Sequence, residues 1–156
     1  MQTLTLKPGT VIADLPTIQC VMTEWAPGQE CPTHNHPDAD EVYLFLSGDG
    51  EIVAPFTAKN EEQVEQFTAP MQAYIPAGTA YMLKNTGTTP LKFIWALAPN
   101  ETPEMRTLPG PAEQQPVVML GTEKGERFPT SEKIRGGMLV FPPNIECAYH
   151  SHDEAD

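Results

Sequence analysis

Cationic side chains are scarce in this chain: nine Lys and Arg stand against twenty-one Asp and Glu among 156 residues, a net charge of -12. A surface so acidic repels phosphate backbones and anionic headgroups, which argues against nucleic acid or a membrane as a partner. Cysteine is scarce as well. Cys20, Cys31 and Cys147 are odd in number and form no C-x-x-C pair, a pattern suited to a reducing cytoplasm rather than to a disulfide framework. Met1 to Thr17 lacks the charged-then-apolar order of a secretory signal. Long apolar runs are missing too. The longest, Phe93 to Ala98, is six residues, far short of the ~20 that a membrane helix needs. The expectation is a cytoplasmic protein.

Helical periodicity is also hard to find. In its place are short runs rich in β-branched and aromatic residues: Ile18 to Trp25, Val42 to Leu46, Glu51 to Phe56, Met71 to Ile75, Tyr81 to Lys84 and Leu91 to Leu97. Pro27-Gly28, Gly48-Asp49-Gly50, Pro76-Ala77-Gly78 and Asn85-Thr86-Gly87 separate them. Short strands punctuated by turn residues predict an all-β sandwich or barrel. Asn60 to Gln66 is polar and acidic and reads as a solvated loop or hairpin tip. Pro99, Pro103, Pro109, Pro111 and Pro116 crowd one segment, which reads as an extended linker or strap because proline cannot donate to a β-ladder. The chain thus divides into a barrel over 1–98, a proline-rich strap over 99–116 and a tail over 117–156.

The densest chemistry lies between Gly28 and Gly48. His34 and His36 are one residue apart, and Glu41 follows. On an extended strand, positions i and i+2 share a face, so both imidazoles can aim at one point. Pro37 should stop that strand, Asp38 to Asp40 should turn the chain, and Glu41 should open the next strand beside the histidines. Two imidazoles and a carboxylate are the ligand set of non-haem iron centres and also suit manganese or zinc. Tyr43 and Phe45 share the face of Glu41, either as walls of a pocket or as ordinary core. Cys31, three residues before His34, falls on the opposite face and is not a candidate ligand.

This stretch resembles the first signature of the cupin superfamily, G-x5-H-x-H-x(3,4)-E-x6-G, with Gly28, His34, His36, Glu41 and Gly48 each in place. A second signature, G-x5-P-x-G-x2-H-x3-N, aligns with Pro70, Pro76, Gly78, Tyr81 and Asn85. Pro70 replaces its glycine, and Tyr81 replaces the histidine that the resemblance implies as a fourth metal ligand. Three roles are open to Tyr81: a phenolate ligand to a hard metal, a phenol bonded to water or substrate, or a filler of the barrel.

The sequence also repeats itself. A shift of 116 places Ile18 on Ile134, Met22 on Met138, Glu30-Cys31 on Glu146-Cys147, and His34 and His36 on His150 and His152. The second copy stops before a counterpart of Glu41, so the chain resembles a bicupin cut off inside its second barrel. Strands such as Val117 to Leu120 and Gly136 to Phe141 would then need to pair with the first barrel or with another subunit, and a homodimer is expected.

The resemblance implies an all-β jelly-roll barrel (a double-stranded β-helix) with extra C-terminal strands. It also implies a small-molecule pocket and one divalent transition metal (iron, manganese, zinc or nickel) on His34, His36 and Glu41. The function it suggests is a metal-dependent enzyme of dioxygenase, isomerase or decarboxylase type, with Tyr81 as the catalytic proton donor or a weak ligand. The rival readings are a non-catalytic binding or sensing domain and an inactive fragment of a bicupin. His150 and His152, without a carboxylate, should hold no metal.

Overall fold

A computed structural model of the chain describes residues 5–55, 61–100, 115–121, 131–134 and 143–144. Every element among them is a strand: β1 (Val11–Leu15), β2 (Ile18–Trp25), β3 (Asp40–Ser47), β4 (Asp49–Ala54), β5 (Gln63–Thr68), β6 (Met71–Ile75), β7 (Met82–Asn85), β8 (Leu91–Ala98) and β9 (Val118–Leu120). They form a six-stranded sheet in the order β1-β2-β8-β3-β6-β9 and a three-stranded sheet in the order β5-β4-β7. All the ladders are antiparallel. The fold is the expected all-β jelly-roll barrel.

The alternation of side chains along the strands explains why two sheets close on one another. On β3, Tyr43 and Phe45 point inward to join Ile52, Phe67, Leu83, Leu91 and Phe93 in the core between the sheets. Phe45 and Phe67, one from each sheet, stack with ring centroids 4.0 Å apart. Burying each such side chain contributes about 1.5–3 kcal/mol. Val42 and Leu44 point the other way, onto a second apolar layer with Tyr74, Ala96 and Ala98. Whereas the edge strand β1 is mostly exposed, both faces of the large sheet are therefore covered around β3 and much of β8. That requirement accounts for the near-continuous hydrophobic runs of β3 and β8.

Gly48 sets the hinge between the sheets. Its φ of +101° is open to glycine, and a Cβ there would lie 2.9 Å from both the Leu91 Cα and the Pro90 carbonyl oxygen. The chain can therefore leave β3 in one sheet and enter β4 in the other with one residue between them.

Several expectations need correction. Asn60 to Gln66 is not a solvated tip as a whole, because Gln63–Thr68 is β5, paired in register with β4. Its residues alternate in exposure, with Phe67 buried, and so polar a strand is stable at the edge of its sheet, where one face meets water. Asp40 is not part of a turn. It opens β3, paired with Ala98, and is buried. β1 was not anticipated at all. Of the tail, Val118–Leu120 pairs with β6 of the same chain and extends the large sheet. The Gly136 to Phe141 strand and His150 and His152 lie outside the described residues.

Candidate metal centre

His34 and His36 do not sit on a hairpin with Glu41. The segment from Gly28 to His34 runs instead along β7, on the small sheet. Gly28 N donates to Asn85 O at 3.0 Å, Cys31 N to Leu83 O at 3.1 Å, and His34 and Tyr81 exchange both backbone bonds at 3.0 and 2.9 Å. Pro32 interrupts this pairing because it has no N–H, so only isolated bridges form, at Glu30–Lys84 and His34–Tyr81. Asn85 anchors the arrangement. Its side-chain N–H groups donate to the Trp25 and Thr89 carbonyls, each at 3.0 Å. Glu41 arrives from the other sheet, on β3. The site lies where the sheets meet.

The geometry brings the three predicted ligands together. One donor atom from each of His34, His36 and Glu41 lies within 4.8 Å of the others. His36 Nε2 is 3.5 Å from Glu41 Oε2, and the two imidazoles stand edge to face at 5.2 Å. His36 and Glu41 are buried, whereas His34 is half-buried and forms the side nearest solvent. His34 Nδ1 lies 2.9 Å from the Pro32 carbonyl. A carbonyl only accepts, so Nδ1 carries the proton and Nε2 keeps a free lone pair, the tautomer a metal needs. His36 Nδ1 is buried without a hydrogen-bond partner among the described residues. Two imidazoles and a carboxylate, crowded together and short of donors, fit a borderline divalent cation.

Tyr81 also meets the cluster. Its ring lies 4.6 Å from that of His34. Its hydroxyl donates to Glu41 Oε2 and lies 2.6 Å from the hydroxyl of Tyr43. Tyr43 was expected as wall or core; its ring is core, but its hydroxyl belongs to the site. The signal available in the sequence was its i+2 spacing from Glu41, which places both on one face of β3. Cys31 stays apart from the three donors: the Leu83 N–H donates to its sulfur at 3.2 Å, and burial pushes its thiol pKa up.

Burial dominates the electrostatics. It pushes the Glu41 carboxyl up to about 7, with the hydroxyls of Tyr81 and, behind it, Tyr43 pulling the other way. It lowers His36 to about 4, helped by the neighbouring His34, and it lowers His34 against the opposing bond to Pro32. Tyr43 and Tyr81 rise well above the ordinary phenol value, first through burial and then through the charge of Glu41. All these shifts disfavour ionised forms in a dry site, and a bound cation would reverse that for Glu41.

The family model described as a cupin domain matches residues 21–97. Among solved structures, a Bacillus halodurans protein shares 25% identity with a TM-score of 0.51, covering 58% of this chain and 69% of its own. An uncharacterized Klebsiella pneumoniae protein with a double-stranded β-helix domain shares 20% identity with a TM-score of 0.52, covering 68% and 85%. An oxalate oxidase solved with the substrate analogue glycolate shares 21% identity with a TM-score of 0.52, covering 57% of this chain and 46% of its own. The last two likenesses concern the fold alone. No curated protein matches the chain.

Proposed function

The chain belongs to the cupin superfamily, and from that premise we propose that it is a metal-dependent small-molecule enzyme centred on His34, His36 and Glu41. The observation that carries this reading is the convergence of three donor atoms within 4.8 Å at the junction of the sheets. His34, with its tautomer fixed by Pro32, would hold the metal through Nε2. His36 and Glu41 would complete the set from the buried side. A divalent ion there supplies Lewis acidity and open positions for substrate and water. The half-buried His34 side is where a small molecule would enter, and the aromatic core behind Tyr43 shuts water out of the opposite side.

Metal analysis of the purified protein tests the reading. One divalent transition metal per chain is expected, and His36→Ala should lose it. A His36→Ala protein that still copurifies with stoichiometric metal would show that the ligand set is misassigned. Whichever ion is recovered after expression reports availability as much as preference.

A second reading, a binding or sensing domain without turnover, is favoured by one specific feature. The Tyr81 hydroxyl bonds to Glu41 rather than standing free, and no His, Cys, Asp or Glu among the described residues joins the three-residue cluster. Oxygen uptake and substrate-depletion assays on metal-loaded protein separate the two: sustained turnover supports the enzyme, and saturable ligand binding without turnover supports the binder.

A further inference from the structure

A tyrosine stands where the resemblance implies a fourth ligand, and its hydrogen bonds restrict what it can do there. Building on the metal centre proposed above, we propose that Tyr81 and Tyr43 are positioning residues: a directed pair of phenols that braces Glu41 and takes the place of a fourth ligand.

The direction follows from proton counting. Glu41 must be ionised to hold a metal, and an ionised carboxylate only accepts hydrogen bonds. A phenol has one proton to give. The Tyr81 hydroxyl contacts both Glu41 Oε2 and, at 2.6 Å, the Tyr43 hydroxyl. Its proton therefore lies on the bond to Glu41, and the proton between the phenols comes from Tyr43. The chain reads Tyr43 to Tyr81 to Glu41. Tyr81 then has no proton left for a bound ligand, and it is not a phenolate. Of the three roles open in the sequence, the geometry replaces the first two with a fourth, that of an outer support.

The position of Tyr81 shows what such a support is for. The ligands come from two sides of the junction, His34 from the segment along β7 and Glu41 from β3. Tyr81 exchanges both backbone bonds with His34 on one side and bonds Glu41 of β3 through its side chain on the other. It joins a histidine ligand to the carboxylate ligand directly. Tyr43 in turn is fixed by packing, its ring stacked on Phe45 at 5.5 Å and tilted against Phe93 at 5.6 Å. The brace thus transmits the rigidity of the barrel core to the carboxylate.

Cobalt(II) titration of the full chain, followed by the visible spectrum of the bound ion, tests the inference with Tyr81→Phe and Tyr43→Phe. Removing an outer-shell partner typically weakens metal binding by about 10–100-fold, which is the loss expected in Tyr81→Phe. Tyr43→Phe removes one further hydrogen bond and should weaken binding by about threefold to tenfold. The cobalt spectrum should be the same in all three proteins, because no ligand changes. Iron(III)-loaded wild type should show no phenolate-to-iron charge-transfer band, and that measurement stands even if Tyr81→Phe does not fold. A phenolate band, or a cobalt spectrum altered in Tyr81→Phe alone, would make Tyr81 a ligand and overturn the inference. So would wild-type affinity in both variants. A wild type that takes up no cobalt overturns the metal centre itself, and the inference falls with it.

Discussion

Two carboxylates sit side by side on β3, both buried, and they face opposite ways. Asp40 points to the outer layer and Glu41 to the barrel interior. Asp40 has donors from three parts of the chain: Ala77 N–H at 2.9 Å, the Tyr74 hydroxyl at 3.0 Å, and the Ser131 hydroxyl. Glu41 accepts from Tyr81, has His36 alongside, and carries a carboxyl pushed up to about 7. A buried carboxylate surrounded by donors is a joint, holding segments together. One left short of donors beside two imidazoles keeps lone pairs for a cation. The same strand provides both because successive residues face opposite layers.

The sharpest way to break that comparison is to neutralise each residue in turn. Glu41→Gln should lower metal affinity by more than about a hundredfold, beyond what outer-shell changes cost. Metal-free, it should be as stable as wild type or more so at pH 8, because it removes a buried carboxylate, raised in pKa from 4.5 to about 7, whose burial costs on the order of 3 kcal/mol. Asp40→Asn should do the opposite. Metal affinity should stay within about twofold, while stability to urea falls by about 1–2 kcal/mol as a charge-assisted bond is lost. If Asp40→Asn lost the metal and Glu41→Gln merely unfolded, the roles would be reversed.

Titration sharpens the comparison next. Glu41 has a folded pKa near 7, raised from 4.5, so its contribution to metal-free stability is lost as pH rises between those values. His36 has a folded pKa near 4, depressed from 6.5, so its contribution is present above 6.5 and lost as pH falls through 4. Between 4.5 and 6.5 the two slopes oppose, because the folded pair and the unfolded pair each hold one proton. Wild-type apoprotein should therefore show little pH dependence from the Glu41–His36 pair across that window, leaving only the rise with pH that the lowered His34 contributes in every variant. Apo Glu41→Gln leaves His36 uncompensated, and its stability should climb more steeply than wild type there, by roughly 1.4 kcal/mol per pH unit. Urea melts at three pH values across the window would show it, and parallel profiles for the two proteins would sink the assignment. In the wild type, metal displaces the shared proton, so affinity should rise with pH and level off near 7.

Much of this was legible in the residues. Ile18–Trp25 and Met71–Ile75 are strands with the expected bounds, because β-branched and aromatic runs between turn residues leave little else to form. The spacing of His34, His36 and Glu41 foretells the cluster even though the segment carrying the histidines pairs along β7 and not with the strand of Glu41. Side-chain direction along an extended chain is local, whereas sheet partnership is not. β5 was missed because its core anchor, Phe67, is one apolar residue among Gln and Glu, and only pairing with β4 reveals the alternation. Asp40 reads as a turn residue because aspartate favours turns; nothing local announces a serine ninety-one residues away as its partner. The Tyr43–Tyr81 bond is hidden for the same reason, joining β3 to the residue before β7.

The smallest effect concerns that distant serine. Ser131 donates to Asp40 and accepts from the N–H groups of Lys133 and Ile134 at 3.0 and 3.4 Å, so one hydroxyl both shapes its own turn and fastens it to β3. Ile134 is buried beneath that turn, in the outer layer with Val42 and Tyr74. If Asp40 is a joint, its worth is shared among its three donors, and removing one should cost less than removing the acceptor. Ser131→Ala should therefore lower stability by about 1 kcal/mol, roughly 2–4 °C in melting temperature for a chain of this size, with metal affinity unchanged. Amide exchange at Lys133 and Ile134 should quicken while that at Glu41 does not. An unchanged melting temperature together with unchanged exchange would show that this stretch of the tail rests on β3 without holding it. A loss of metal in Ser131→Ala would mean that the two faces of the strand are coupled, and that Asp40 and Glu41 do not divide their work as the geometry indicates.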